Sequence, residues 1–207
     1  MAINLGALRK TSLVDTEVNP REIFNLLPGK DKKYIYPRDV QAVVWDRWMP
    51  RREDKDVVIK MNTGGGKTVV GLLILKSCLN EGVGPAIYIT PDKYLASQVI
   101  REANDLGIEV TTDQDSHQFL QGKSILVTNI YHLINGKSVF GTSDTGRKIA
   151  ANAILVDDAH ACLSITESQF SLSIPRDHDL FDRFLNIFED DLKLQNHVKF
   201  LEIEQSD

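Results

Sequence analysis

The chain has 207 residues, of which 42% are hydrophobic and 26% are charged. These values lie close to the averages of globular proteins and exclude a disordered chain, a collagen-like chain and a disulfide scaffold. The formal net charge of −5 arises at the C-terminal end, because residues 176–207 carry nine acidic and four basic side chains while residues 1–175 are neutral. Any contact with nucleic acid is therefore expected to be local rather than through a broad basic surface.

The first third of the chain predicts two helices, a strand and a third helix, in that order. Asn19 and Pro20 are typical of an N-cap followed by proline in the first turn, and Pro37 begins the second helix. The β-branched run at residues 56–61 predicts a strand, and residues 67–79 predict an apolar helix after a glycine-rich loop. The side chains expected on the buried face of the second helix are Val40, Val43, Val44 and Trp48.

The rest of the chain alternates between short apolar strands and helical patterns. The predicted strands are 86–90, 108–112, 125–128 and 153–156, and the helices between most of them are 92–106, 116–120 and 129–134. This alternation predicts an α/β fold, with a parallel sheet covered by helices on both faces. After Pro175 the pattern is helical, and its apolar stripe comprises Leu180, Phe181, Phe184, Leu185 and Phe188.

The glycine loop between the predicted strand 56–61 and the helix 67–79 indicates a phosphate site. Its residues are Thr63, Gly64, Gly65 and Gly66, followed by Lys67 and Thr68. Glycines allow backbone N–H groups to surround a phosphate, while the lysine reaches the β- and γ-phosphates and the threonine binds Mg²⁺. The general pattern has glycine where this chain has Met61, but the strand, loop and helix give the required context. The alternative is an ordinary glycine-rich turn with a solvated lysine.

Two adjacent carboxylates follow the predicted strand 153–156, which we expect to be buried. In an open α/β sheet, ligands bind at the carboxyl ends of the strands. Asp157 is therefore a candidate for ordering Mg²⁺, and Asp158 for positioning or deprotonating an attacking water. The alternative is a solvated acidic loop. His160, two residues on, is either structural or couples the nucleotide site to a neighbouring surface.

Together these motifs resemble the first RecA-like lobe of a superfamily 2 helicase of the DEAD/DEAH-box type. The resemblance covers roughly residues 34–160, in which 63–68 resemble motif I and 157–160 resemble motif II. It implies a P-loop ATPase with ATP and Mg²⁺ as cofactors, in which Lys67, Asp157 and Asp158 are catalytic. The segment 37–41 is similar to the glutamine motif, and the resemblance implies that Gln41 reads the adenine with its paired donor and acceptor.

The resemblance also implies single-stranded DNA or RNA as a partner. Residues 90–98 resemble motif Ia and residues 127–129 resemble motif Ib, the segments that hold the sugar-phosphate backbone in this family. The implied nucleic-acid-binding residues are Pro91, Lys93, Gln98, Thr128 and Asn129. Helix N-termini and hydroxyl groups bind phosphate without surplus lysines, which suits a neutral lobe.

Two departures from the family pattern shape the expected activity. The family usually has glutamate where this chain has Asp158. The Ser-Ala-Thr motif and a second lobe with its arginine finger are not found by Asp207, so we expect a fragment of a longer enzyme that is nearly inactive alone. The predicted domains are an N-terminal helical extension (1–33), a RecA-like ATP-binding lobe (34–175) and an acidic helical segment (176–207).

Location, partners and two other functions complete the sequence-based expectations. No apolar run is long enough to cross a bilayer and no signal peptide is indicated, so we expect a cytoplasmic protein without a membrane partner. A resemblance to bacterial restriction or phage-defence helicases implies a partner subunit of such a complex. The alternatives are another P-loop NTPase acting as a switch or kinase, and a degenerate, non-catalytic nucleic-acid-binding module, which Asp158 alone favours. The sequence does not distinguish DNA from RNA.

Overall fold

The computed structural model describes residues 13–28, 30–140, 146 and 148–205. The chain divides into two compact units, Met1–Thr166 and Glu167–Asp207. Residues 1–12 of the predicted N-terminal extension lie outside the described part. The helices are α1 (Pro20–Leu26), α2 (Asp39–Trp48), α3 (Lys67–Asn80), α4 (Lys93–Leu106), α5 (His117–Leu120), α6 (Ile130–Ile134), α7 (Ala159–Gln169), α8 (Phe181–Ile187) and α9 (Glu189–Gln205).

A four-stranded parallel sheet organises the first unit. Its strands are β1 (Ala86–Thr90), β2 (Val110–Thr111), β3 (Ile125–Asn129) and β4 (Ala153–Val156), in the order β2-β3-β1-β4. The predicted α/β fold is therefore confirmed, although the second strand is shorter than the predicted 108–112. Because all strands run the same way, Asn129 at the end of β3 pairs with Thr90 at the end of β1, and Asp157 follows β4 at the same edge.

The alternation of side chains along β1 produces two apolar layers, one on each face of the sheet. Ala86 and Tyr88 face the larger core, which α3 and α4 cover. Ile87 and Ile89 face the smaller core, where Phe119 of α5 joins residues from α6 and α7. Every residue of β1 is buried, as expected for a central strand of a parallel sheet with helices on both sides.

The helix α1 begins as predicted, because the Asn19 side chain accepts a hydrogen bond from Arg21 N at 2.9 Å and Pro20 occupies the first turn. The predicted face of α2 is only partly right. Trp48 is buried and Val44 packs against the core as predicted, but Val40 and Val43 are exposed, and the helix also buries Gln41 and Trp45. Each tryptophan removes far more apolar surface from water than a valine, so the aromatic pair determines which face turns inward.

The predicted strand at residues 56–61 is absent: this segment has no regular structure, and Val58 is 94% exposed. β-branched residues favour an extended backbone, but a strand forms only where a neighbour accepts and donates its hydrogen bonds. The expectation that 153–156 is buried holds for one face only, because Ala153 is buried and Leu155 packs against the larger core. β4 pairs only with β1 among the described residues, and Ile154 and Val156 are 47% and 40% exposed.

The second unit is helical, as the sequence after Pro175 predicts. The rings of Phe184 and Phe188 stack with centroids 6.0 Å apart, and the Lys193 ammonium lies 5.0 Å from the centroid of the Phe200 ring. Asn196 has φ −161° and ψ 94°, which interrupts α9. Among the described residues, no helix combines the length and apolarity of a transmembrane span.

Candidate nucleotide-binding site

The glycine loop turns tightly into the N-terminus of α3. Gly64 and Gly66 have φ values of 80° and 78°, a left-handed conformation that disfavours any residue with a Cβ. Gly66 is the N-cap of α3, and its carbonyl accepts a hydrogen bond from Val70 N at 3.2 Å. The loop therefore precedes a helix N-terminus, where free N–H groups and the helix dipole favour a bound anion.

The start of α2 holds this loop from one side. Gln41 is buried; its Nε2 donates to the Gly66 carbonyl at 3.2 Å, while its Oε1 accepts from Arg38 N at 2.9 Å. The Arg38 guanidinium donates to the Gly64 carbonyl. Two residues of α2 thus fix two carbonyls of the loop, so the predicted base-reading glutamine also positions the loop.

A pair of glycine substitutions tests how tightly the loop is held. A Cβ at Gly66 would overlap the Gln41 amide nitrogen, whereas one at Gly64 would meet nothing within 4 Å. Both alanine variants carry the left-handed penalty of about 1–2 kcal/mol. We expect Gly66→Ala to lower the melting temperature and weaken ATP binding clearly more than Gly64→Ala, measured by thermal unfolding and calorimetry. Equal effects would show that the contact with Gln41 does not matter.

The acid pair lies at the carboxyl end of β4, as predicted. Asp157 N donates to the Ile89 carbonyl at 2.8 Å, which continues the sheet by one residue. Its half-buried carboxylate is held at both oxygens: Asp158 N donates to Oδ1 at 3.0 Å, and the Tyr88 hydroxyl donates to Oδ2 at 3.0 Å. The direction of this carboxylate is therefore fixed by the backbone and by β1.

Tyr88 connects the acid pair to the glycine loop. Its side chain is fully buried, and this burial raises the pKa of the phenol, with the charge and hydrogen bond of Asp157 adding to the rise. The same ring lies against α3, the helix that begins after the glycine loop, because a Cβ at Gly71 would come within 3.0 Å of Tyr88 Cε2. The phenol is thus hydrogen-bonded to Asp157, one predicted Mg²⁺ ligand, and packs against the helix that carries the other, Thr68.

Asp158 has two features that sequence reasoning did not indicate. It is the one non-glycine residue with a positive φ, 44°, in the described part of the chain. Its Oδ1 accepts a long hydrogen bond of 3.4 Å from Ala161 N, and its carbonyl accepts one of 3.0 Å from Cys162 N. Aspartate tolerates this conformation and is a favoured N-cap, so the residue suits the start of α7. The side chain is otherwise exposed.

The remaining predicted nucleotide-site residues are accessible to a ligand. Thr63 and Lys67 are exposed, and the Lys67 ammonium has no ion pair or hydrogen bond within the described ranges. His160 is exposed in the first turn of α7. Among the described residues no group of three or more His, Cys, Asp or Glu side chains could hold a metal. A hydroxyl and one carboxylate still fit Mg²⁺, which commonly completes its coordination with substrate phosphates and water.

The predicted nucleic-acid-binding residues divide into two groups. Lys93 and Asn129 line one cleft of about 430 Å³ at the carboxyl ends of β1 and β3, together with Asp92, Tyr131 and His132. We call this the β1/β3 cleft. The other three do not line it: Pro91 and Thr128 are buried, and Gln98 is exposed on α4.

The β1/β3 cleft contains an unsatisfied polar group. Asn129 is 5% exposed, and its Oδ1 has no hydrogen-bond partner among the described residues. Nearby, the Thr128 hydroxyl and His132 Nδ1 lie 3.0 Å apart. A buried acceptor without a donor is costly, and it is a feature that a ligand with a donor group would relieve.

Three residues of this region, Tyr88, Arg38 and His132, were missed by sequence reasoning. Tyr88 stands in an apolar strand, where its hydroxyl gave no motif signal. Arg38 was given no role beyond its place in the segment 37–41, and His132 sits in a short helical pattern. Strand pairing brings Tyr88 to Asp157 and places His132 beside the end of β1, whereas Arg38 reaches the glycine loop from the N-cap of α2.

Comparison with known proteins gives one match. Searches of curated proteins and of solved structures found no match to the chain. The family model described as DEAD/DEAH box helicase matches residues 38–174, a range that includes the glycine loop, the acid pair and the whole parallel sheet. The chain therefore belongs to the DEAD/DEAH box helicase family and has its RecA-like α/β fold.

Proposed function

We propose that this chain is the ATP-binding lobe of a nucleic-acid helicase or translocase, in which ATP hydrolysis drives movement on, or unwinding of, DNA or RNA. The observation that carries the proposal is the close contact of α3, the helix after the glycine loop, with the strands that lead to the acid pair. A Cβ at Gly71 of α3 would lie 2.8 Å from Leu155 Cδ1 of β4 and 3.0 Å from Tyr88 Cε2, and the Tyr88 hydroxyl donates to Asp157 at 3.0 Å. This contact brings together two motifs that are far apart in sequence. A solvated acidic loop would have no reason to be hydrogen-bonded to a buried phenol beside the helix that follows the glycine loop.

Each residue then has a defined role toward ATP. The backbone N–H groups of the glycine loop and Lys67 bind the phosphates, and Thr68 and Asp157 hold Mg²⁺. The bound Mg²⁺ neutralises charge on the phosphate oxygens. Asp158, with an oxygen directed to solvent, orients the attacking water and takes its proton.

Gln41 is proposed to read the base in addition to holding the loop. Its amide uses one of two N–H donors and one of two acceptor positions on backbone groups, so one of each remains for adenine. We expect ATP to bind more tightly than GTP, and Gln41→Ala to reduce the ratio of the two affinities, measured by calorimetry. Because the variant also loosens the loop, both affinities fall. An unchanged ratio would restrict Gln41 to loop positioning.

The β1/β3 cleft is proposed as the place where a single strand of nucleic acid lies. Lys93 supplies a cation for phosphate, and exposed Tyr131 supplies a ring on which a base stacks. The unpartnered Oδ1 of Asn129 favours a ligand that donates a hydrogen bond, and within the sugar-phosphate backbone neither phosphate nor deoxyribose can donate one. A ribose 2′-hydroxyl can, so we expect RNA to bind more tightly than DNA of the same sequence.

The isolated chain is expected to bind ATP and single-stranded RNA but to hydrolyse ATP very slowly. The family resemblance implies an arginine from a second lobe, and such arginines contribute about 10³–10⁵ in rate. Fluorescence anisotropy of labelled RNA and DNA, with phosphate release measured in parallel, tests this. Fast unwinding by the 207-residue chain alone would contradict the two-lobe account, and no binding of either strand would contradict the nucleic-acid role.

A further inference from the structure

The most unusual side chain near the proposed nucleotide site is Tyr88 in the middle of β1. Its ring belongs to the apolar core beneath α3, where it packs among aliphatic side chains and is fully buried. A hydroxyl in such a place is costly unless it is hydrogen-bonded. This one donates to Asp157 Oδ2 at 3.0 Å, so its position is explained by the carboxylate rather than by packing.

The helix α3 has a glycine, Gly71, where it packs against this ring. Gly71 is buried in the middle of the helix, one turn beyond Thr68. A Cβ at Gly71 would lie 2.8 Å from Leu155 Cδ1 and 3.0 Å from Tyr88 Cε2. Glycine inside a helix costs about 1 kcal/mol relative to alanine, so the sequence gives up helix stability where α3 approaches β1 and β4. This close approach places the phenol under α3 and within hydrogen-bond distance of Asp157.

We propose that Tyr88 is a positioning residue that sets the direction of Asp157 for binding Mg²⁺ with ATP. The inference rests on the proposed function. The hydroxyl occupies one side of Oδ2, and Asp158 N occupies one side of Oδ1, so each oxygen keeps a free lone pair in a fixed direction. A phenylalanine would fill the same space and leave Oδ2 unheld. Tyr88 does not touch the reacting atoms and acts only through Asp157.

Tyr88→Phe tests the inference because it removes only the hydroxyl. The readout is the ratio of ATP dissociation constants without and with Mg²⁺, measured by calorimetry on the 207-residue chain. We expect this ratio to be about tenfold smaller in Tyr88→Phe than in wild type, as for loss of a hydrogen bond to a charged group. The dissociation constant for ATP without Mg²⁺ should be unchanged. Tyr34→Phe is the matched control: it also removes a hydroxyl that donates to a carboxylate, Glu102 Oε1 at 3.1 Å, and should leave the ratio as in wild type.

Two further variants separate positioning from packing. In an Asp157→Asn background, Tyr88→Phe should cause little further loss of Mg²⁺ dependence, because both act on one carboxylate. Gly71→Ala, which displaces the ring and keeps the hydroxyl, should lower the Mg²⁺ ratio in the same direction. Gly71→Ala replaces Tyr88→Phe as the test if Tyr88→Phe does not fold. An unchanged ratio in Tyr88→Phe, or a full additional loss in the double variant, would overturn the inference while leaving the proposed function intact. A wild-type chain whose ATP binding ignores Mg²⁺ would overturn both.

Discussion

Replacing Lys67 by alanine is expected to weaken binding of ATP with Mg²⁺ by about ten- to a hundredfold. Lys67 is the charged side chain next to the glycine loop, it is exposed, and it has no competing partner among the described residues. Charge-assisted hydrogen bonds to phosphate contribute about 1.5–3 kcal/mol each, which corresponds to that loss of affinity. Calorimetric titration of wild type and variant measures the effect.

Lys76→Ala provides the matched control for this prediction. Lys76 lies further along the same helix and pairs with Asp15 at 2.8 Å, away from the glycine loop. The Lys76 side chain is only 15% exposed, so its removal should lower stability through lost packing as well as the lost ion pair, but it should leave ATP affinity unaltered. Equal affinities in wild type and Lys67→Ala would mean that the glycine loop does not bind phosphate.

Replacing Asp158 by asparagine is expected to reduce ATP hydrolysis by about 10²–10⁴-fold while leaving ATP binding nearly unchanged. Asparagine tolerates the positive φ of 44° and is as good an N-cap as aspartate, so the start of α7 is preserved. What it cannot do is accept the proton of the attacking water. Phosphate release from the 207-residue chain, followed with protein in excess over labelled ATP and with single-stranded RNA or DNA present, measures the rate.

Two companion variants define the role of each acid. Asp157→Asn should instead weaken Mg²⁺-dependent ATP binding itself, because Asp157 is a proposed metal ligand. Asp158→Glu restores the usual family side chain but loses a favoured N-cap in a left-handed conformation, so we expect stability to fall by about 1 kcal/mol. If Asp158→Asn hydrolyses ATP as fast as wild type, Asp158 is not the base and serves only as the cap of α7.

The sequence was most informative for elements that consist of one continuous apolar run. The helix over Lys67–Asn80 and the strands over Ala86–Thr90 and Ile125–Asn129 were predictable, because long apolar runs next to turn residues admit few alternatives. The strand expected at 56–61 was not found, since propensity cannot reveal whether a neighbouring strand is present to pair with it. The valine face of α2 was mispredicted because counting apolar positions ignores the larger area of Trp45.

The candidate site was predictable to the extent that its chemistry follows local motifs. The left-handed Gly64 and Gly66 and the position of Asp157 after β4 follow from residues close together in sequence. The contacts that connect them do not, because Tyr88 and Gln41 reach the site from other elements. A tyrosine in an apolar strand is usually core, and only the sheet register reveals the carboxylate beside it. Likewise, the N-cap role of Asp158 depends on where α7 begins.

The central claim is that this lobe binds ATP through the glycine loop with Mg²⁺ held by Thr68 and Asp157. The most direct measurement is a calorimetric titration of ATP into the 207-residue chain, once with Mg²⁺ and once with a chelator. We expect ATP to bind saturably at one site per chain. Mg²⁺ should raise the affinity for ATP, and GTP should bind more weakly than ATP. Absence of saturable ATP binding, or the same affinity with and without Mg²⁺, would contradict it.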